Sequence, residues 1–297
     1  MQACDIWEQV GLELVSFDYC RSARQAEGML VDGEIDFISG NHVSPYTRYL
    51  QGSPIVYLAS PSNGVRMVLA SHQPIRDLAE IRGLRLGETS PWNPGGSLQH
   101  IRGNHILYLR RAGLTPEDVT WVELADEVKE DARDTLIAAL RADRIDVGFV
   151  MGGSGAFEEA GFHLLPLGEL PMVNGPTLTT TITNLQRKDH FGERLVKAMV
   201  LAIHLAKTRP EEADARMQAF AAERTGQRAL TSARVARMPR KPYPSLEGIA
   251  NAYELACIQT PSTRGQASPL ALWDLHYLRE LDYSGFIDQL YAEPAVA

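Results

Sequence analysis

The sequence predicts an α/β protein of two lobes, and three observations carry that expectation. At 297 residues the chain is long for a single hydrophobic core, so a split into two is the default. Stretches of two-residue and of helical hydrophobic period alternate along it. Finally, one pattern is written twice. "GEIDFISG" (Gly33 to Gly40) and "ADRIDVGFVMGG" (Ala142 to Gly153) each follow a helical stretch, pass through a charged residue, Ile and Asp into an apolar run, and stop on glycine. Asp36 and Asp146 are 110 residues apart.

The elements follow in order. "GLELVSF" (Gly11 to Phe17) alternates as a strand does. The next stretch sets Ala23, Ala26, Met29 and Leu30 at helical spacing, and "EIDFIS" returns as a strand. "SPIVYLAS" and "GVRMVLAS" read as strands joined by the turn "PSNG". "QPIRDLAEIRGLRLGETS" is a short helix stopped at Gly83 and then a strand. "SLQHIRGNHILYLRRAG" is a helix with Ser97 as N-cap and Gly113 as stop. The second copy runs from "GLTPEDVTWVEL" through a helix with Leu136, Ile137 and Leu140 on one face to the strand "RIDVGFV". Each copy is thus a β-α-β unit. "PTLTTTITN" is rich in β-branched residues and predicts a strand. After it Phe191, Leu195, Val196, Met199, Val200 and Ile203 form one helical stripe, and the remainder is mostly helical, broken at "RMPRKPYP" and "TPSTRGQASP".

Composition narrows the function classes. The chain is 44% hydrophobic and 22% charged, with a formal charge of -8, which argues against a general nucleic-acid binder. Cys4, Cys20 and Cys257 make no disulfide framework and no zinc pair. No His and carboxylate set has metal-ligand spacing, "VMGGSGAF" lacks the spacing and Lys of a nucleotide loop, and no cofactor is expected. The opening "MQACDIWEQVGLELVSF" has neither a basic n-region nor an apolar h-region. As written, the sequence reads as cytoplasmic; with a leader upstream it reads as periplasmic.

"IWEQVGLELVSFDYCRSARQAEGMLVDGEIDF" resembles the opening of the SsuA/THI5/NMT1-like periplasmic substrate-binding proteins. "QPIRDLAEIRGLRLGETS", "ALRADRIDVGFV" and "NGPTLTTTITN" are similar to later passages of that family, in the same order, over roughly residues 5 to 205. The resemblance implies a class II periplasmic-binding fold: two α/β lobes joined by two hinge strands, with a ligand cleft between them. Lobe one would take residues 1–85 and 178–297, and lobe two residues 86–177. It also implies a monomeric solute-binding component that hands a small molecule to an inner-membrane ABC permease. Family members usually begin with a further strand upstream of the helix that here contains "ACDIWEQVG"; this sequence starts inside that helix region, so either an upstream strand and leader are missing from it or this member has lost them.

On that fold the candidate ligand contacts lie at strand ends and helix starts. "ETSPWNPGGSLQHIRG" leaves a strand through Thr89 and Ser90 and enters a helix through Gly95, Gly96 and Ser97, whose free N–H groups suit a carboxylate, sulfonate or phosphate. Trp92 offers an aromatic wall, and His100 sits in the first turn. The alternative is a structural βα turn with a packed Trp. Asn41, His42, Tyr46 and Arg48 follow the first repeated strand, and Arg48 has the fork that pairs with anions; an exposed surface Arg is the plainer reading. Arg21 and Ser22 open another helix, Ser60 and Asn63 sit at a further strand end, and Asn174 precedes the β-branched strand. His105 falls on an apolar stripe with Leu98, Ile101 and Leu109 and reads as a satisfied core histidine.

Two functions remain. One is binding of a small anionic, aromatic or aliphatic, organic molecule for transport. The other is a cofactor-free decarboxylase or desulfinase-like enzyme on the same fold, with Cys20 as nucleophile and His42 as base. A transcription regulator would need a helix-turn-helix segment, and none is evident.

Overall fold

The structure is a computed structural model, and it describes residues 5–18, 20, 22–40, 43–90, 100–129, 131–174, 176–222, 235 and 237–292. In chain order the regular elements are α1 (Ile6–Gln9), α2 (Ala23–Asp32), β1 (Ile38–Gly40), α3 (Ser44–Leu50), β2 (Ile55–Ala59), β3 (Ser62–Ser71) and β4 (Arg85–Glu88). Then come α4 (His100–Arg111), β5 (Thr120–Glu123), α5 (Ala132–Arg141), β6 (Val147–Val150), α6 (Gly155–Glu159), β7 (His163–Asn174) and β8 (Thr177–Thr181). The remainder is helical: α7 (Ile182–Arg187), α8 (Phe191–Thr208), α9 (Pro210–Ala222), α10 (Leu246–Gln259), α11 (His276–Tyr283) and α12 (Phe286–Ala292).

The chain divides into two compact units. The first comprises Met1–Asn63, Val173–Ala250 and Ser262–Ala297; the second comprises Gly64–Met172 and Asn251–Pro261. The first crossing therefore falls at 63/64 and not at the 85/86 expected from sequence, and the return falls at 172/173 and not at 177/178. The reason is pairing. Val68 to Ser71 of β3 face Val150 to Val147 of β6 in antiparallel register, so this strand belongs with the second unit's sheet.

In the first unit β8 lies at the centre of a three-stranded sheet of order β1-β8-β2, antiparallel to both neighbours. Its β-branched run suits that place, because stiff branched side chains pack well on a pleated surface buried on both faces, and all five residues are buried. The predicted stripe of α8 is buried residue for residue, from Phe191 to Ile203, in a core shared with Ile6, Trp7, Leu58, Leu178, Leu278 and Ile287. Each fully covered Leu or Ile there contributes about 1.5–3 kcal/mol against exposure.

"GLELVSF" is not a strand. Leu12 and Leu14 pack against the core and Val15 and Phe17 point outward, so the alternation is real, yet among the described residues no strand pairs with the segment. Periodicity reports which face is buried. It does not supply a hydrogen-bonding partner.

In the second unit the sheet order is β5-β4-β6-β3-β7. β4 runs parallel to both β5 and β6, so the second predicted copy, β5-α5-β6, straddles it. Leu124, Leu136, Ala139, Leu140, Ile145, Phe157 and Phe162 form the core beneath. Gly87 admits close packing there: a Cβ at that position would lie 2.7 Å from Ile145 Cδ1 and 3.0 Å from Leu136 Cδ2. Among the described residues no helix is long and apolar enough to cross a membrane.

Candidate functional site

In the first unit one sequence candidate, Arg48, is held by a buried carboxylate, and the others bond elsewhere. Ser22 caps α2, its hydroxyl accepting from the Gln25 N–H at 3.3 Å, and the Cys20 thiol reaches the Ser22 carbonyl at 3.1 Å. Five residues into α2, Glu27 is almost fully buried. It accepts from Ser44 Oγ at the start of α3 and from Arg48 Nε at 3.0 Å. Arg48 also donates through Nη2 to the Arg24 carbonyl at 2.9 Å, so the expected ligand-facing fork is engaged with α2. The physical reason is charge pairing: a carboxylate this buried requires a cation, and Arg48 is one turn into the neighbouring helix.

Tyr46 is likewise internal. Its hydroxyl donates to the Pro269 carbonyl at 2.7 Å and accepts from Trp273 Nε1 at 3.3 Å. Tyr57 lies beside it, with ring centroids 6.1 Å apart, and 4.8 Å from the Trp273 ring. The Tyr57 hydroxyl is fully buried and has no hydrogen-bond partner among the described residues; burial, then Tyr46 and Glu27, push its pKa well up. Directly across the sheet stands Thr179, also buried and with no partner for Oγ1. Ser60 donates to the Ser62 carbonyl at 3.3 Å and accepts from Thr177 Oγ1 at 3.1 Å. Asn63 is used on both ends, giving its amide to the Tyr243 carbonyl at 2.7 Å and accepting from the Ser245 N–H at 2.8 Å. Asn63 thus pins a chain segment, a task that local sequence spacing could not reveal.

In the second unit the end of β4 carries a second buried carboxylate. Glu88 Oε2 takes a hydrogen bond from His105 Nδ1 at 2.9 Å, and Oε1 takes one from the Ser90 N–H at 2.7 Å. The His105 ring stacks on Phe149 of β6 with centroids 4.6 Å apart and planes 16° from parallel. Burial, the largest single influence, pushes the Glu88 carboxyl up. The His105 hydrogen bond and charge, with the Ser90 contacts, outweigh it, and the group sits below the usual glutamate range. Ser90 itself is 4% exposed, and its Oγ has no partner among the described residues. Thr89, between them in sequence, is half-buried. His105 is therefore in the core, as expected, but what satisfies it is a charged group.

Arg21, Asn41, His42, Trp92, Gly95, Gly96 and Ser97 lie outside the described residues, as do the side chains of His100 and Asn174. Sequence reasoning missed Glu27, Tyr57, Glu88 and Thr179. Only Glu88 left a trace: a carboxylate ending the apolar strand "LRLGE", with a histidine on the apolar stripe of the following helix. Among the described residues no three His, Cys, Asp or Glu side chains gather as a metal-ligand set.

Comparison with known proteins now bears on this architecture. No protein-family model matches the sequence, and no curated protein is detectably similar to it. Solved structures do match, end to end. A protein described as the periplasmic sulfonate-binding protein SsuA of Methylobacillus flagellatus KT superposes with a TM-score of 0.65 at 15% identity, over 95% of this chain and 87% of that one. The fold is that of a periplasmic binding protein. The aliphatic sulphonate binding protein SsuA of Escherichia coli matches at 19% identity and TM-score 0.58, over 86% of this chain and 80% of its own. The desulfurization enzyme DSZB matches as fully, at 16% identity and TM-score 0.57, over 95% and 94%. Binding proteins and an enzyme thus share this fold, and residues must choose between them.

Proposed function

We propose that the chain is a solute-binding protein for a small anionic organic molecule, a sulfonate or carboxylate with an aliphatic or aromatic body, which it delivers to an ABC-type permease on the outer side of a membrane. The observation that carries this reading is the full-length fold likeness to two proteins whose names state sulfonate binding. The chemistry of the described residues suits it. A buried hydroxyl with no internal partner, such as that of Ser90, is costly by about 1–3 kcal/mol unless something else accepts its proton. An oxyanion accepts it well.

The test is native mass spectrometry and thermal unfolding against a pool of ethanesulfonate, benzenesulfonate, acetate and benzoate and their longer homologues, followed over hours. A retained, chemically unchanged ligand that raises the melting temperature supports binding; at a hundredfold excess over Kd the stabilisation is about 2.7 kcal/mol. Release of sulfite or carbon dioxide, lost in Cys20→Ala or His42→Ala, would instead make the chain an enzyme.

A further inference from the structure

We propose that Ser90 Oγ and His105 Nε2 form an anion-binding subsite in the second unit, with Glu88 as the positioning residue that fixes the imidazole. The inference rests on the binding reading above and names the residues and protonation state it would use. Three observations carry it. Glu88 is fully buried, and its two oxygens take the Ser90 N–H and His105 Nδ1, so one carboxylate holds serine and imidazole together. The Ser90 hydroxyl, nine-tenths buried, has no partner among the described residues. Finally, the described residues supply Nδ1 with its carboxylate but give His105 Nε2 no hydrogen bond.

The tautomer logic sets the ligand class. With Nδ1–H committed to Glu88, a neutral imidazole presents a bare lone pair at Nε2, and only the imidazolium presents an N–H there. An anion at the subsite therefore requires His105 to carry a proton. The local charge is then a Glu88 carboxylate neutralised by the imidazolium, plus the bound oxyanion with two donors, Ser90 Oγ–H and His105 Nε2–H. A neutral or cationic solute gains nothing from this pair.

Among the described residues the surrounding elements add no rival titrating group. On α4, Arg102 is committed to Glu123 of β5 at 2.6 Å and lies over the Trp121 ring, while the Tyr108 hydroxyl donates to the Val65 and Gly168 carbonyls of β3 and β7 at 2.8 Å each. On β6 the ring beneath His105 is Phe149, and on β4 Arg85 is paired to Asp143 and Asp146.

The experiment is calorimetric titration of the full chain with ethanesulfonate and benzenesulfonate between pH 5 and 8.5, a range in which both probes stay ionised. Wild-type affinity is expected to be higher at the acid end of this range than at the alkaline end, by up to about tenfold per pH unit, because the bound anion requires the imidazolium. Ser90→Ala is expected to weaken binding about tenfold at every pH, the loss of one charge-assisted hydrogen bond. It should leave the unliganded melting temperature unchanged or raised, since it removes a hydroxyl with no partner. His105→Asn keeps a donor to Glu88 near the Nδ1 position, supplies none at Nε2 and does not titrate, so its affinity should be low and flat with pH. Wild-type affinity and pH profile in both variants would overturn the subsite, as would a fall in unliganded stability of Ser90→Ala. Were neither probe nor any member of the wider pool to bind the wild-type chain, the binding reading would fall first and the subsite with it.

Discussion

At Gly33 and at Asp143, 110 residues apart, the chain turns the same corner. Both residues hold left-handed backbone, with φ of 79° and 51°. Behind them the helices close alike: Glu34 and Arg144 donate to the carbonyls of Met29 and Ala139 at 2.9 and 3.0 Å, five residues back in each case. Beyond the corner the copies diverge. Ile145 is fully buried and leads into β6, which has β4 on one side and β3 on the other. Ile35 is half-buried and leads into the three-residue β1 at a sheet edge. The aspartates diverge with them. Asp146 accepts from the Arg85 backbone N–H at 2.7 Å and from its guanidinium at 2.6 and 3.1 Å, whereas Asp36 meets Lys188 Nζ at 2.7 Å with both side chains nearly half exposed. One local pattern thus specifies a turn. Its neighbours decide what the turn is worth.

Substitutions can break that contrast in a definite order. The largest effect is expected at the isoleucines: Ile145→Ala should cost about 2–5 kcal/mol in urea unfolding, because Leu136 and Gly87 pack against it, and Ile35→Ala less than half as much. Equal losses would mean the two corners are embedded alike.

Next come the aspartates. The hydrogen bond from the Arg85 side chain, first among the causes, holds the Asp146 carboxyl below the usual aspartate range. Its stabilisation is therefore complete above the unfolded value, ordinarily about 3.9, and is lost as pH falls through the lower folded value. Asp146→Asn should lower the melting temperature by several degrees at neutral pH and flatten the acid limb of a stability profile. Asp36→Asn should cost about 0–1 kcal/mol, as exposed pairs do. An acid limb unchanged in Asp146→Asn would dissociate it from that sensitivity.

The smallest effect sharpens what the corners share. Gly33→Ala forces a side chain into left-handed backbone with open space around it, so the cost is conformational, about 1 kcal/mol. Asp143→Gly relieves the same conformation but loses the 2.8 Å contact to Arg85, and should stay within about 2 °C of the wild type. A Gly33→Ala chain as stable as the wild type would show that the corner tolerates side chains in both copies.

What could be read in advance follows the same division between local and neighbour-dependent. The α8 stripe, the β8 run and both corners were legible, since each is set by residues within a few positions. The irregular backbone of "GLELVSF", the crossing at 63/64 and the engagement of Arg48 by Glu27 were not, because each depends on what the rest of the chain supplies. Glu88 and His105 fall between. Seventeen residues separate them, and only the strand-to-helix turn brings the imidazole back over the carboxylate.

The four crossings of the chain bear on its synthesis. The second unit's long piece, Gly64–Met172, is complete early, yet its remaining strip, Asn251–Pro261, carries Asn251, which donates to the Pro171 carbonyl at 2.6 Å, and Glu254, which pairs with Arg110. About 80 residues separate the two pieces, roughly 4–16 s at ordinary translation speed. Throughout that interval the surface awaiting α10 is uncovered, and the first unit lacks α11 and α12. A ribosome-bound chain of this protein therefore carries both cores open at one side until Asn251–Pro261, α11 and α12 emerge, and it closes them nearly together.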